Sequence, residues 1–218
     1  MVSEPLVLGV DTSGSYCSAV LLQGGEVLSD VYQDMPKGQA EALFPLIQDL
    51  LVRGGATWRD LSAIGVGTGP GNFTGIRISV SAMRGLALAL EVPVIGVTLL
   101  DALAHGTSGP VLGSIAAPRG QAYVQGHGMV QNVPPALVTI SDLQLDLAEP
   151  GLVSIGSAGS EIAARLGVPH VPAPYAPGSA IARIAALRRG HDISPAAPFY
   201  LKPADAAPAR DAPPVLLD

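Results

Sequence analysis

Cysteine is almost absent: Cys17 stands alone among 218 residues. That excludes an intramolecular disulfide and any zinc or iron–sulfur centre built from several thiolates. Lysine is nearly as scarce, with Lys37 and Lys202 its only instances. The 12 basic side chains are outnumbered by 18 acidic ones, for a net charge of −6. An autonomous nucleic-acid binder needs clustered lysine and arginine against phosphates, so this balance argues against one. No apolar run approaches the roughly 18 residues of a membrane span; Leu86–Leu90 is stopped by Glu91 and Pro93. The early run Leu6–Val10 lacks the basic flank and the length of a signal peptide. A soluble cytoplasmic protein is therefore expected. Charged residues are only 14% of the chain and hydrophobic ones 48%, which excludes a disordered polymer. A chain of this size buries about 70% of its unfolded surface and needs no covalent staple.

The apolar residues are grouped in short blocks. Leu6–Val10, Cys17–Leu22 and Glu26–Tyr32 are separated by Thr12-Ser13-Gly14-Ser15 and by Gly24-Gly25, the signature of an antiparallel meander. Leu43, Leu46, Ile47, Leu50 and Leu51 follow helical spacing, and Gly54-Gly55 ends that helix. A strand at Ala63–Gly67, a long helix at Thr74–Leu90, a strand at Val94–Val97 and a short helix at Leu99–Ala104 complete the first half. The second half repeats the order more faintly. Strands are predicted at Val111–Ala117, Gln121–Gly126, Leu137–Ile140 and Leu152–Ile155, with helices at Ser141–Leu147, Ser160–Leu166 and Gly178–Gly190. Two successive βββαβα units imply an α/β protein of two duplicated lobes, 1–104 and 105–218. The alanine- and proline-rich tail after Ser194 either packs back on the first lobe or frays.

The most informative segment is Gly67-Thr68-Gly69-Pro70-Gly71-Asn72-Phe73-Thr74-Gly75-Ile76-Arg77. Glycine-rich turns between strand and helix can cradle phosphate on exposed amides. The dinucleotide fingerprint fails here, because Asn72 or Thr74 falls where its third glycine belongs. The P-loop triplet glycine-lysine-hydroxyl is missing as well. Two readings remain: a sharp turn with Asn72 capping the next helix, which is favoured, or direct phosphate contact. Asp11-Thr12-Ser13-Gly14 likewise reads either as a turn or as a carboxylate that holds a metal through water. His105, His127, His170 and His191 all lie more than four positions apart and form no zinc-binding helix face. Small residues Ser81, Gly85 and Ala89 recur every fourth position on the long helix and would let another helix approach closely.

Assembled, these blocks resemble the TsaB (YeaZ) family. The resemblance rests on Leu8-Gly9-Val10-Asp11-Thr12-Ser13 with Cys17-Ser18-Ala19-Val20, and on Leu43-Phe44-Pro45-Leu46-Ile47. It is strongest in the Gly67–Arg77 loop and continues through Gly85-Leu86-Ala87-Leu88, Pro93-Val94-Ile95-Gly96-Val97 and Tyr200-Leu201-Lys202. It covers roughly residues 6 to 104 well and the rest thinly.

The resemblance implies an actin/hexokinase-like ATPase (ASKHA) fold in two lobes. It also implies an accessory role in making threonylcarbamoyladenosine next to the anticodon of tRNA. In that family the chain is a non-catalytic partner of TsaD, which transfers a threonylcarbamoyl group from an adenylate made by TsaC. The P-loop ATPase TsaE joins the assembly, and a homodimer can form through the same helices. Docking is then expected on Leu43, Leu46, Ile47 and Leu50 of the first helix and on Ile78, Ala82, Gly85 and Ala89 of the long one. Asp11, Thr12, Ser13, Gly69 and Gly71 would be the vestige of a nucleotide site. No catalytic residue, metal or cofactor is expected. Gln39 and Leu43 occupy the region where TsaD-like proteins carry two metal-binding histidines, and neither ligates iron or zinc as imidazole does. Ala116 stands where relatives place an aspartate toward a nucleotide's metal. The competing expectations are an ATP-dependent kinase or ATPase and, less favoured, a glycoprotease-like metallopeptidase.

Overall fold

A computed structural model describes residues 4–190 and 196–201. Strands β1 (Leu6–Asp11), β2 (Tyr16–Gln23) and β3 (Glu26–Asp34) form the meander. Helix α1 (Gln39–Arg53), β4 (Leu61–Gly67), α2 (Phe73–Leu90), β5 (Val94–Val97) and α3 (Leu99–Ala104) follow. They build a five-stranded sheet in the order β3-β2-β1-β4-β5, with β1 antiparallel to β2 and parallel to β4. The second half contributes β6 (Val111–Ala117), β7 (Gln121–His127), β8 (Ala136–Thr139), β9 (Val153–Gly156), α4 (Gly159–Leu166) and α5 (Pro177–Arg188). Its four-stranded sheet has the order β8-β7-β6-β9, again with one antiparallel and one parallel neighbour for the central strand. The strand order of the first sheet is thus repeated in the second.

The helices are not repeated so faithfully. Residues 141–147, expected as a helix, form two single 3-10 turns at Ile140–Asp142 and Leu145–Leu147. The segment is too short to offset helix nucleation, and Ser141 and Asp142 compete for backbone hydrogen bonds. Helix α5 is the larger departure. Placed by sequence in the C-terminal lobe, it packs on the first sheet, where Ala180, Ile181, Ala182 and Ala185 share a core with Val7, Val20, Ala63 and Ile95. The division at residue 104 separates the strands of the two sheets but does not separate their helices. His191, Ser194, Lys202 and the tail beyond lie outside the described residues.

Strand β1 explains why both faces of the first sheet are covered. Side chains alternate along a strand: Leu6, Leu8 and Val10 enter the core under α1 and α2, while Val7 enters the core under α5. Between them Gly9 and Gly65 form a floor for α5. A Cβ on Gly9 would collide with the Gly178 carbonyl, and one on Gly65 would lie 2.8 Å from the Ala185 methyl. Ala196 joins the core under α1 and α2, and the Phe199 amide donates to the Thr68 carbonyl at 2.8 Å. Helix α2, at 18 residues, reaches the length and mean hydropathy of a membrane span, but it is not the uncharged run a span requires. Ile76, Val80 and Met83 nonetheless bury its inner face in that same core, and Arg77 and Arg84 interrupt it.

The glycine floor is testable. Gly9→Ala forces α5 off β1 and is expected to cost about 1–3 kcal/mol, the usual range for overpacking. Urea unfolding measures it; an unchanged midpoint would show that α5 does not rest on that strand.

Candidate functional site

The loops at the tips of β1 and β4 bring Asp11, Thr12, Ser13 and Gly71 of the expected nucleotide vestige together, whereas Gly69 packs against Ile76 and its carbonyl accepts from the Leu99 amide. Asp11, Thr12 and Ser13 are 0, 0 and 2% exposed. The Asp11 carboxylate accepts hydrogen bonds from the Ser13 hydroxyl at 2.9 Å, from the Ser13 amide at 3.3 Å and from the Tyr16 hydroxyl. Tyr16 in turn stacks on Tyr32 with ring centroids 4.9 Å apart. Burial pushes the Asp11 carboxyl above its ordinary value, although Tyr16 and Ser13 each pull it back by hydrogen bonding. The Tyr16 phenol is likewise raised, first by burial and then by the charge of Asp11.

The glycine-rich loop lies directly on this turn. At Gly67 any Cβ would overlap the Asp11 carboxylate, and Gly71 and Gly75 face the Ser13 and Thr12 carbonyls as closely. The Asn72 amide donates to the Ser13 carbonyl at 2.6 Å. Its side chain accepts from the Thr74 and Gly75 amides at 3.0 and 3.2 Å, which is the helix cap read from the sequence. The amides of Asn72, Thr74 and Gly75 are therefore engaged within the protein. Gln39 completes the closure from α1: its amide donates to the carbonyls of Gly14 and Tyr16 at 2.8 and 2.7 Å and approaches that of Thr12 at 3.3 Å. The roles of Gln39 and Tyr16 were missed in the sequence; the only signal was a polar side chain at the start of an apolar helix.

The second sheet supplies no matching acid. Strand β6 ends on Ala116 and Ala117, and the Ala116 amide donates to the Ser157 hydroxyl at 2.9 Å. Among the described residues no group of three or more His, Cys, Asp or Glu side chains could hold a metal ion.

The outer surface of α1 and α2 corrects the expected docking residues. Leu43, Ile47 and Leu50 are 0–1% exposed and belong to the core under both helices, so they cannot touch a partner. The physical reason is plain: the strongest apolar stripe of an amphipathic helix faces its own core. Leu46, Ile78 and Ala82 are half-buried, while Gly85 and Ala89 are exposed. A Cβ on Gly85 meets nothing within 4 Å. Two further apolar side chains on these helices are exposed, Leu88 at 82% and Phe44 at 42%. Phe73, Arg77 and Tyr200 form a further exposed cluster at the start of α2, with the Arg77 guanidinium 3.8 Å from the Phe73 ring centre.

Two half-similar mixed sheets with crossing helices define an actin/hexokinase-like ATPase fold. A solved activator of the 2-hydroxyisocaproyl-CoA dehydratase from Clostridium difficile shares it at a TM-score of 0.54 over 84% of this chain and 95% of that one, with 9% identity. Closer similarity follows from sequence. The family model described as TsaD: tRNA N6-adenosine threonylcarbamoyltransferase matches residues 33–172, more than half of the chain. Escherichia coli "tRNA threonylcarbamoyladenosine biosynthesis protein TsaB" is 35% identical over 54% of this chain and 52% of its own. The chain thus spans about half the length of the curated TsaB relatives it matches. An uncharacterized Mycobacterium tuberculosis protein is 31% identical over 93% of this chain and 94% of its own. A Pseudomonas aeruginosa crystal structure described as similar to peptidase YEAZ superposes at a TM-score of 0.74, with 28% identity over 91% of this chain and all of that one. The chain belongs to this family, on its TsaB/YeaZ branch.

The sealed carboxyl has a consequence for stability. An unfolded Asp titrates near 3.8, whereas folded Asp11 titrates higher. Between those values the folded chain keeps a proton that the unfolded chain gives up, so its contribution is full below 3.8 and is lost as pH rises through the folded value. Asp11→Asn cannot follow this course. The unfolding midpoint of wild type minus that of the variant is expected to fall as pH rises from about 4 through the folded value. A pH-independent difference would mean that Asp11 is solvated as an ordinary carboxylate.

Proposed function

We propose that this chain is a non-catalytic, cytoplasmic subunit that binds TsaD and supports threonylcarbamoyl transfer to the tRNA adenosine next to the anticodon. The observation that carries the reading is the outer face of α2. There Gly85 opens onto space, with exposed Leu88, exposed Ala89 and half-buried Ala82 on the same helix. Uncovered apolar surface of this kind on a soluble domain marks a protein interface. Small side chains at four-residue spacing let a partner helix lie close. The same face would serve a homodimer, and TsaE would join through TsaD. A net charge of −6 leaves tRNA binding to the partner.

An ATPase or kinase reading draws on the shared fold, since the dehydratase activator carries bound ADPNP. Against it stand the closed Asp11 turn and the alanines ending β6. Phosphoryl transfer needs carboxylates that reach a nucleotide's magnesium. A metallopeptidase reading draws on the peptidase wording of the Pseudomonas aeruginosa relative, and the described residues offer it no ligand cluster.

Docking is tested with Gly85→Glu and Leu88→Glu, which add charge at open positions and leave the core intact. Each is expected to weaken association with purified TsaD by about tenfold or more, as loss of a central interface contact does. In cells lacking the gene, the same variants should fail to restore modified adenosine in bulk tRNA, measured by mass spectrometry. Wild-type association by both variants would overturn the docking face; unchanged modification in the deletion strain would overturn the role itself.

A further inference from the structure

Helix α2 carries a second outward ridge, beside the small residues of the proposed docking face. Phe73, Arg77, Arg84 and Leu88 are exposed on it. Spacings of four, seven and four residues set these side chains one above another along the helix. Arg77 and Arg84 are the only charged residues of α2, which meets no acid until Glu91 at its end. They lie two turns apart, about 10 Å along the axis. Among the described residues neither is ion-paired; the two ion pairs join Arg53 to Asp49 and Arg188 to Asp101.

Arg77 is held ready. Its Nε donates to the Tyr200 hydroxyl at 2.9 Å, and its guanidinium carbon lies 3.8 Å from the Phe73 ring centre. Phe73 and Tyr200 stack with their centroids 4.9 Å apart, and both remain exposed. These contacts restrict a side chain that would otherwise lose rotamer freedom on binding. They use one face of the guanidinium and its Nε, leaving Nη1 and Nη2 with no acceptor among the described residues. Two terminal nitrogens side by side form the planar fork that fits a carboxylate. Anchorage of residues 196–201 does not call for this arrangement. Ala196 already sits in the core, and the Phe199 amide already donates to the Thr68 carbonyl.

We propose that this ridge selects its partner by charge: Arg77 and Arg84 donate to two carboxylates that stand seven residues apart on one helix of the docking protein. The inference rests on the reading that α2 docks TsaD, and it names what TsaD presents there. Charge complementarity identifies the occupant. The chain carries −6 overall, yet α2 offers two cations and no acid. A helix aligned with α2 and acidic at the same two-turn spacing meets both arginines at once. A second copy of this chain packing α2 against α2 would instead set four arginines together. Like charges brought together across an interface are a device against the wrong partner, so the ridge favours TsaD over the homodimer.

The test uses the whole chain and purified TsaD, with association measured by calorimetry at low and at high sodium chloride. Wild-type affinity is expected to fall as salt rises. Arg84→Gln, at an exposed side chain outside the core, should weaken association about threefold at low salt, as loss of a surface ion pair does. Arg77→Gln should weaken it about tenfold, because a preorganised charge-assisted pair is lost. The double variant should lose the salt dependence and should self-associate more tightly than wild type in sedimentation equilibrium. An unchanged unfolding midpoint in Arg84→Gln separates these effects from folding. Salt-independent wild-type affinity, or wild-type association by both glutamine variants while Gly85→Glu and Leu88→Glu fail to bind, would overturn the charge reading and leave the docking face standing. Wild-type association by the two glutamate variants would overturn the docking face, and this inference with it.

Discussion

The close approach of α5 to β1 and β4 is the constraint from which the rest of the molecule follows. Gly9 and Gly65 remove the side chains that would hold the helix away, and alanines on α5 fill the gap. The Gly178 amide is fixed at the helix start by the Ser18 hydroxyl, 3.1 Å away. This contact returns the chain from the second sheet to the first. It buries the lower face of β1 and leaves the upper face to α1 and α2. A strand covered on both sides has no solvent-facing residue, and β1 is buried from Leu6 to Asp11. The burial of Asp11 is thus the continuation of a fully enclosed strand into its turn.

That enclosure bears on chemistry. A carboxylate that serves a nucleotide's metal must exchange its water for a ligand, so it stays accessible and charged. Asp11 is held by Ser13 and Tyr16, roofed by Gly67 and braced through Gln39. Its elevated carboxyl favours the neutral form, the opposite of what magnesium requires. The glycine-rich loop directs the amides of Asn72, Thr74 and Gly75 onto the Ser13 carbonyl and the Asn72 side chain. The hairpin, the loop and α1 are thereby locked together around Asp11.

Much of this was legible in the residues. Short apolar blocks between turn residues located the strands, and helical spacing located α2 to within a residue and the body of α1 from Leu43 onward. The Asn72 cap was readable because its chemistry is local. What the sequence could not supply was the third dimension of each surface. Leu43, Ile47 and Leu50 are apolar because they build the core, yet the same property made them look like docking residues. The outward face was marked more quietly, by small residues at Gly85 and Ala89 and by Leu88, whose exposure no periodicity announces. The lobe assignment of α5 failed for a related reason: its weakly patterned alanines fit any close contact, and only Gly9 and Gly65, far away in sequence, specify which one.

The two faces of the first sheet consequently differ in kind. On the side of α1 and α2 the outer surface carries exposed apolar side chains such as Leu88 and Phe44. On the side of α5 it is concave, with two cavities of about 340 and 380 Å³ that His105 and Leu187 both line. Both arise from the same sheet, because α5 is short, ends at Arg188, and leaves α3 and β7 to form the opposite wall. A rigid β1 buried between them fixes the distance from one face to the other.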